Sequence, residues 1–345
     1  MPEVLLGVFD GYMSLDRDKL TSETKIGGAP SYFPALSLSQ SETIREWTTC
    51  GVCGQQMFLL LQAFSPLPLA PSLHHRMVYV FCCNSSICTR QPSSSWCAFT
   101  LQVDAADEQA LQDDCSDEVI EMGPLTPAEL PPNTFPPCCV DIFPEPKKEI
   151  VVPTDLETEM IKAAEENAKN PDITENDVKE LERAIDLKDK PSDYDFEKFR
   201  RKMAREPTQV LRYYERDGIQ KREAASNLAV APPLFMNPRR VKDFFRIPPC
   251  GSCGAALIHE VQIMPTCVYY LRVGEYVVAG RKNGDEGVDW GTVTVFVCSN
   301  NCSKDCNGVV LRKEFVLVEK APELLDEIDE TDGRKDLRTL LTGPL

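Results

Sequence analysis

Histidine and long apolar segments are both scarce in this sequence. Its 345 residues include three histidines (His74, His75 and His259), which leaves few side chains suited to acid–base catalysis near neutral pH. The most apolar run, 57–70, is interrupted by Gln62 and two prolines and is too short to span a bilayer. The first ten residues have neither a basic segment nor a long apolar core, so we expect no signal peptide and no membrane partner.

The sequence also lacks the short motifs of several enzyme classes. It has no nucleophile elbow and no phosphate-binding glycine loop. The segment Pro-Cys-Gly-Ser-Cys at 249–253 resembles half of the zinc-deaminase signature. The His-x-Glu half of that signature should precede it, whereas His259 and Glu260 follow it. We therefore expect that the protein is not an enzyme.

Positive charge is in deficit over the chain as a whole. Lysine and arginine number 37 against 54 aspartates and glutamates, which gives a formal net charge of -17 at pH 7. A chain this acidic is repelled by phosphate backbones, so we expect no direct binding to nucleic acid. The same charge favours a basic protein as the partner.

Cysteine, by contrast, is abundant, with 15 residues in the chain. Eight of them form two similar clusters, about two hundred residues apart. Each cluster has a C-x-x-C-G knuckle, an apolar β-prone segment, and a second short-spaced pair that follows a Val-Phe dipeptide. Paired knuckles of this kind are typical of tetrahedral zinc sites. The predicted ligands are Cys50, Cys53, Cys83 and Cys88 for one zinc ion, and Cys250, Cys253, Cys298 and Cys302 for a second.

One ligand of the first site is ambiguous, since Cys82 and Cys83 are adjacent. We prefer Cys83 because it lies two residues after Phe81, as Cys298 lies two residues after Phe296. The alternative for all eight positions is that they are ordinary buried free thiols. A dithiol redox site is another alternative, but such sites lie between a strand and a helix, and no helical pattern follows either knuckle.

The segments around the two clusters follow the same order in both halves of the chain. Each half has a β-prone opening, an Ala-Pro turn, the knuckle, apolar strands and a Phe-x-Cys pair. Duplication explains that order more simply than the local resemblance that cysteine-rich β-proteins share. We therefore predict a mainly β protein with an α insert, in which two pseudo-duplicated, β-rich zinc-binding modules are joined by an acidic, partly helical linker. The predicted boundaries are 1–103 for the first module, 104–205 for the linker, 206–320 for the second module and 321–345 for an acidic tail.

Runs of β-branched and aromatic residues predict the individual strands. The first strand is predicted at 4–12. Four more are predicted in the second half of the chain, at 257–264, 268–278, 292–297 and 309–318.

The linker has two predicted helices, near 155–169 and 175–188. The second has an apolar series set among acidic residues, which matches the spacing of a leucine-rich nuclear export signal. Such a signal docks in a hydrophobic groove of an export receptor. The alternative is that the same side chains pack this helix on its own domain. The residues of the series are Val178, Leu181, Ile185 and Leu187.

Further motifs extend the similarity beyond the cysteines. In the second half they are Glu-Pro-Thr-Gln-Val-Leu-Arg-Tyr at 206–213, Glu-Val-Gln-Ile-Met-Pro at 260–265 and Asp-Trp-Gly-Thr at 289–292. In the first half they are Lys-Ile-Gly-Gly-Ala-Pro at 25–30 and Cys-Gly-Val-Cys-Gly at 50–54. With these motifs in their order along the chain, the sequence resembles the programmed cell death protein two family. The linker has none of the Cys/His spacing of the MYND-type zinc finger that some members carry, so the chain resembles the shorter, programmed cell death two-like branch.

The resemblance implies a function as well as a fold. It implies a cytoplasmic protein that shuttles through the nucleus and acts as a dedicated chaperone of a basic small-subunit ribosomal protein, of the S-five class, in biogenesis of the 40S subunit. Two alternatives remain: a general adaptor in cell-cycle or apoptosis control, and a thiol oxidoreductase. Apart from its client, we expect the chain to be a monomer.

Overall fold

Ten antiparallel strands form one closed barrel in the computed structural model. The structure describes residues 4–32, 36–67, 75–103, 123–146, 191–214, 232–237, 247–277, 284–302 and 309–321. The strands are β1 (Val4–Tyr12), β2 (Lys25–Ile26), β3 (Phe58–Phe64), β4 (His75–Cys82), β5 (Trp96–Val103), β6 (Cys138–Pro144), β7 (Gln209–Tyr214), β8 (Leu257–Ile263), β9 (Thr292–Cys298) and β10 (Val309–Glu319). Their order around the barrel is β1-β6-β2-β3-β4-β5-β10-β9-β8-β7.

Short helices lie between the strands. They are α1 (Leu15–Leu20), α2 (Leu38–Trp47), α3 (Ser86–Thr89), α4 (Pro92–Ser95), α5 (Pro191–Met203) and α6 (Thr266–Leu271), and α6 is followed by a 3-10 turn at Val273–Glu275. None of the helices in the described part of the chain is long and apolar enough to cross a membrane.

The two halves of the chain meet along β5 and β10. This pairing runs from Val103 opposite Val309 to Ala98 opposite Glu314. Strands β2 to β5 lie on one side of it and β7 to β10 on the other, and β1 and β6 close the ring between β2 and β7. The expected pair of modules is therefore one barrel in the structure. A half-sheet has two unpaired edges. Pairing β5 with β10 satisfies one edge of each half, and β6 and β1 cover the other edges, at β2 and β7.

The halves also share structural details away from the cysteines. A register shift in β3 faces β4, and a register shift in β8 faces β9. The side-chain oxygen of Gln62 accepts a hydrogen bond of 2.9 Å from the backbone N–H of Ser31. In the second half, Gln262 accepts one of the same length from the N–H of Leu234. Each glutamine thus holds the segment that precedes its knuckle.

Part of the predicted linker belongs to the barrel. Strand β6 lies inside 104–205 and pairs with both β1 and β2. Its prolines did not prevent this, because Pro136 and Pro137 precede the strand. Phe135 is fully buried and anchors the entry to β6. The helices predicted near 155–169 and 175–188 lie outside the described residues, as do Val178, Leu181, Ile185, Leu187 and all but the first residue of the predicted tail.

Most of the predicted strands match the structure. Strand β1 has the predicted bounds, and β8, β9 and β10 agree with prediction to within one residue at each end. The strand predicted at 268–278 is wrong, because this segment forms α6 and the 3-10 turn. Cys267 and Leu271 are fully buried against the barrel core, and this packing overrides the β propensity of the valines and tyrosines.

Side chains from both halves fill a common core. Trp96 of β5 contacts Trp290 edge-to-face, with ring centroids 5.6 Å apart. Both tryptophans belong to the largest hydrophobic cluster, which also contains residues of β3, β4, β7, β8 and β9. Because the core is shared, separating the two halves would expose apolar side chains of each half to water.

Candidate metal centres

Each knuckle is a tight turn held by backbone hydrogen bonds. In the first, the N–H of Cys50 donates to the carbonyl of Gln55, and the N–H of Gly54 donates to the carbonyl of Cys50, both at 2.8 Å. The second knuckle repeats both bonds at the same length. Gly54 and Gly254 have φ of 72° and 75°, in the left-handed region where glycine has no Cβ penalty. The turn therefore favours the glycine of the C-x-x-C-G pattern, and the two cysteines supply the thiols.

The first cluster brings together four thiols from three places in the chain. The knuckle before β3 supplies two, the end of β4 leads to the third, and α3 carries the fourth. The sulfur atoms all lie within 4.8 Å of one another, and Sγ of Cys53 is 3.6 Å from Sγ of Cys83. Three of the thiols are buried and that of Cys53 is exposed. The members are Cys50, Cys53, Cys83 and Cys88.

The second cluster has the same construction between the second knuckle and the end of β9. Its sulfur atoms also lie within 4.8 Å of one another. Sγ of Cys253 is 3.5 Å from that of Cys298, and Sγ of Cys302 is 3.7 Å from those of Cys250 and Cys298. The structure thus brings all eight predicted ligands into the two predicted groups.

An arginine that no sequence motif indicates adjoins the second cluster. Nη1 of Arg312, on β10, lies 3.4 Å from Sγ of Cys302 and donates a hydrogen bond to the carbonyl oxygen of the same residue. Its Nε is 2.9 Å from Oε1 of Glu314. The arginine places positive charge beside sulfur atoms that would be anionic on a metal, and it ties the cluster to the seam between the halves.

The four thiols of each cluster fit a tetrahedral metal ion. With metal–sulfur bonds of about 2.3 Å, a regular tetrahedron places its sulfur atoms roughly 3.8 Å apart. The hydrogen-bond-range separations in the two clusters, 3.5 to 3.7 Å, are close to this value. Four thiolates would fill every coordination position and leave none for water or substrate. The arrangement is thus suited to a structural metal site.

One thiol in each cluster ionises near neutral pH. Burial alone would raise the pKa of Cys53, but a backbone hydrogen bond from Gln55 and the neighbouring thiols outweigh it and lower the pKa to about 7. For Cys250, the backbone of Cys253 and Ser252 likewise outweighs burial, and the pKa is again lowered to about 7. Because the thiolate is the form that binds metal, these turns favour metal capture.

The structure separates the two adjacent candidates of the first cluster. Cys83 joins the other three thiols, whereas Cys82 lies in the barrel core. Cys82 is the last residue of β4, where successive side chains point to opposite faces of the sheet. Complete burial raises the pKa of Cys82, so that it remains a neutral thiol.

Family models match both halves of the chain. "Programmed cell death protein 2, N-terminal domain" matches residues 3–115, and "Programmed cell death protein 2, C-terminal putative domain" matches residues 193–320. Together the two matches cover well over half of the chain. Each contains one complete four-cysteine cluster.

Similar whole proteins carry the same names. Programmed cell death protein 2 of Mus musculus is 25% identical over 335 residues, which cover 81% of this chain and 86% of the relative. The Bos taurus protein is 26% identical over 338 residues, covering 85% and 89%. Programmed cell death protein 2-like of Homo sapiens is 22% identical over 364 residues, covering 88% and 91%. Relatives of both branches therefore match. No solved structure is a significant match.

Proposed function

Because the chain belongs to the programmed cell death protein 2 family, we propose that it is a non-enzymatic chaperone of a basic small-subunit ribosomal protein. The client would be of the S-five class, escorted during biogenesis of the 40S subunit. The net charge of -17 carries this proposal. A free basic ribosomal protein binds phosphate backbones without specificity, and an acidic holder competes with them until the client is delivered.

In this proposal each four-cysteine cluster holds one structural zinc ion. The sulfur separations and the all-thiolate donor sets support zinc, which favours four-coordinate thiolate sites. When bound, the ion contributes folding energy by joining a knuckle to the strand end opposite it. The chain's own residues supply the shape of the site and the thiolates.

If both clusters hold zinc as proposed, the alternative of a thiol oxidoreductase is disfavoured. Thiolates that are held on a closed zinc site are not free to exchange with a disulfide. Metal analysis of the purified protein should give about two zinc ions per chain, with the eight thiols unreactive until a chelator is added. Rapid thiol–disulfide exchange in a protein free of zinc would favour the oxidoreductase.

Affinity capture of the full chain from cells tests the chaperone proposal directly. A series of salt concentrations should show one small-subunit ribosomal protein enriched at low salt and progressively released as salt rises. Nuclease treatment is the control, since binding through RNA would be lost. If no ribosomal protein is enriched at low or moderate salt, the proposal fails, and enrichment of signalling proteins in its place would favour the adaptor.

We also propose a cytoplasmic protein that shuttles through the nucleus and acts as a monomer apart from its client. The apolar series Val178, Leu181, Ile185 and Leu187 would dock in an export receptor. Replacing Leu181 and Ile185 with alanine should then increase the nuclear fraction. Unchanged localisation and shuttling would reject the export signal and favour the alternative, in which these residues pack their own domain.

A further inference from the structure

The segment between the third and fourth thiols of the first cluster is held by the other half of the chain. Cys88 lies in α3, which follows Cys83 after a short turn. Asn84, in that turn, is completely buried. Its side chain donates a hydrogen bond of 2.9 Å to the carbonyl of Val273 and accepts one of 2.9 Å from the N–H of Val288. Both partners precede β9, in the second half of the chain.

Asp285, also in the second half, caps α3. Its Oδ1 accepts a hydrogen bond of 2.9 Å from the backbone N–H of Ser86, the first residue of the helix. Its Oδ2 accepts one of 2.9 Å from the hydroxyl of Ser85. Ser85 occupies the N-cap position, where a side-chain oxygen commonly accepts from the helix backbone, but here its hydroxyl donates to Asp285. A carboxylate from 200 residues away thus satisfies the start of the helix.

The two halves approach each other closely at this point. The N–H of Gly287 donates to Oδ1 of Asp285 at 3.1 Å, which orients the carboxylate. Gly287 has a φ of 88°, and a Cβ there would lie 2.6 Å from Oδ1 of Asn84 and 3.0 Å from the carbonyl oxygen of Val273. A side chain at this position would therefore separate the turn before α3 from the loop that holds it.

The second cluster is braced from within its own half. Arg312, which donates to the carbonyl oxygen of Cys302, lies on β10. The N–H of Ser299 follows the end of β9 and donates to the carbonyl of Ala256 at 3.0 Å. All of these residues belong to the second half of the chain. The first cluster differs, because hydrogen bonds from the opposite half hold the segment that carries its fourth thiol.

We propose that Asp285 is a positioning residue of the first zinc site, through which the second half of the chain strengthens metal binding in the first half. This inference rests on the proposed zinc sites and adds to them a contribution from outside the four thiols. A ligand that is already held in place loses less conformational freedom on binding. Asp285 would supply this order by holding the helix that carries Cys88. Zinc at the first site would in return favour docking of the two halves, since such coupling is reciprocal.

The test uses the full chain, loaded with zinc and equilibrated with a series of chelator concentrations. Alkylation of the exposed thiols, followed by peptide mass spectrometry, reports the two clusters separately. Asp285→Ala should weaken zinc binding at the first cluster about 2- to 30-fold and leave the second within about twofold of wild type. Asp285→Asn keeps an oxygen acceptor for the N–H of Ser86 and should restore most of the lost affinity. The control Glu286→Ala changes the neighbouring exposed side chain and should leave both clusters unchanged.

Weakening confined to the first cluster distinguishes positioning from general destabilisation, which would release metal from both. The inference is overturned if Asp285→Ala leaves the first cluster unchanged, weakens both clusters equally, or is not rescued by Asp285→Asn. Any of these results, with wild type holding about two zinc ions per chain, leaves the zinc proposal intact. Wild-type protein without zinc, with all eight thiols alkylated before chelator is added, would reject the zinc sites and the positioning role together.

Discussion

Arg76 and Glu260 form a buried ion pair that joins the two halves of the barrel. Nη2 of Arg76 lies 3.0 Å from Oε2 of Glu260, and Nη1 contacts Oε1, so the pairing is bidentate. The side chains are 0% and 2% exposed. Arg76 belongs to β4 and Glu260 to β8, and the hydroxyl of Ser65 also donates to the carboxylate. The ion pair thus connects β4 and β8, which are not neighbours in the sheet.

Removing the arginine should destabilise the fold strongly. Arg76→Met leaves the Glu260 carboxylate buried without its cation, at a cost of about 3 to 5 kcal/mol in the free energy of unfolding. The double variant with Glu260→Leu should cost less, because no charge remains buried. Urea unfolding followed by tryptophan fluorescence measures both.

The matched control for this ion pair is Arg17→Met, since Arg17 and Glu23 form a more exposed pair at 3.1 Å. Its cost should be at most about 1 kcal/mol. Equal costs for Arg76→Met and Arg17→Met would contradict the importance given to the buried pair.

The ligand assignment in the first cluster predicts a difference between adjacent cysteines. Cys83→Ser should lower the zinc content from about two ions per chain to about one, because three thiolates and a hydroxyl hold the metal poorly. Cys82→Ala should leave it at about two, since that side chain lies in the barrel core. Elemental analysis after dialysis against a weak chelator measures the content. The reverse pattern would reassign the ligand to Cys82.

Glu145 makes the free energy of unfolding depend on pH in the acidic range. Burial would raise its pKa, but Arg212, Lys202 and Arg205 outweigh burial and hold the pKa below the ordinary 4.5. The nearest cation, Nη2 of Arg212, is 2.9 Å away. The stabilisation from this carboxylate is therefore present above pH 4.5 and is lost as the pH falls through the lower, folded-state pKa.

Glu145→Gln tests this dependence. It should cost about 1 to 3 kcal/mol at neutral pH and progressively less below pH 4.5, where wild type loses the same interaction. Urea unfolding across this pH range gives both values. Asp141→Asn changes an exposed carboxylate on β6 and should stay within about 0.5 kcal/mol. A constant difference between wild type and Glu145→Gln at every pH would count against the electrostatic explanation.

The second knuckle offers two glycines with different requirements. Gly254 has a φ of 75°, whereas Gly251 has no left-handed φ, and a Cβ at either position would meet open space. Gly254→Ala should therefore cost about 1 to 2 kcal/mol through backbone strain alone. Gly251→Ala should stay within about 0.5 kcal/mol. Chemical unfolding and the rate of zinc loss to a chelator compare them, and equal effects would show that left-handed backbone is not the cause.

The two four-cysteine clusters could be predicted well from the sequence, because the residues that define them lie close together in short motifs. Two knuckles fixed four of the thiols, and the interval from Phe81 to Cys83 distinguished adjacent candidates. The barrel was harder to predict, because closure depends on partners far apart in the chain. Arg76 and Glu260 are 184 residues apart, and nothing near either residue indicates the other. Helix α6 was missed for a similar reason, since burial of Cys267 and Leu271 against distant strands offsets its β-prone composition.

The seam between β5 and β10 also sets an order of events during synthesis. Strand β5 ends at Val103, and its partner does not begin until Val309, about two hundred residues later. At about 5 to 20 residues per second, a ribosome needs roughly 10 to 40 s to make that interval. Throughout it, the nascent first half carries an open strand edge that can pair with other chains. A protein proposed to protect a newly made client therefore itself needs protection until its strand β10 has been translated.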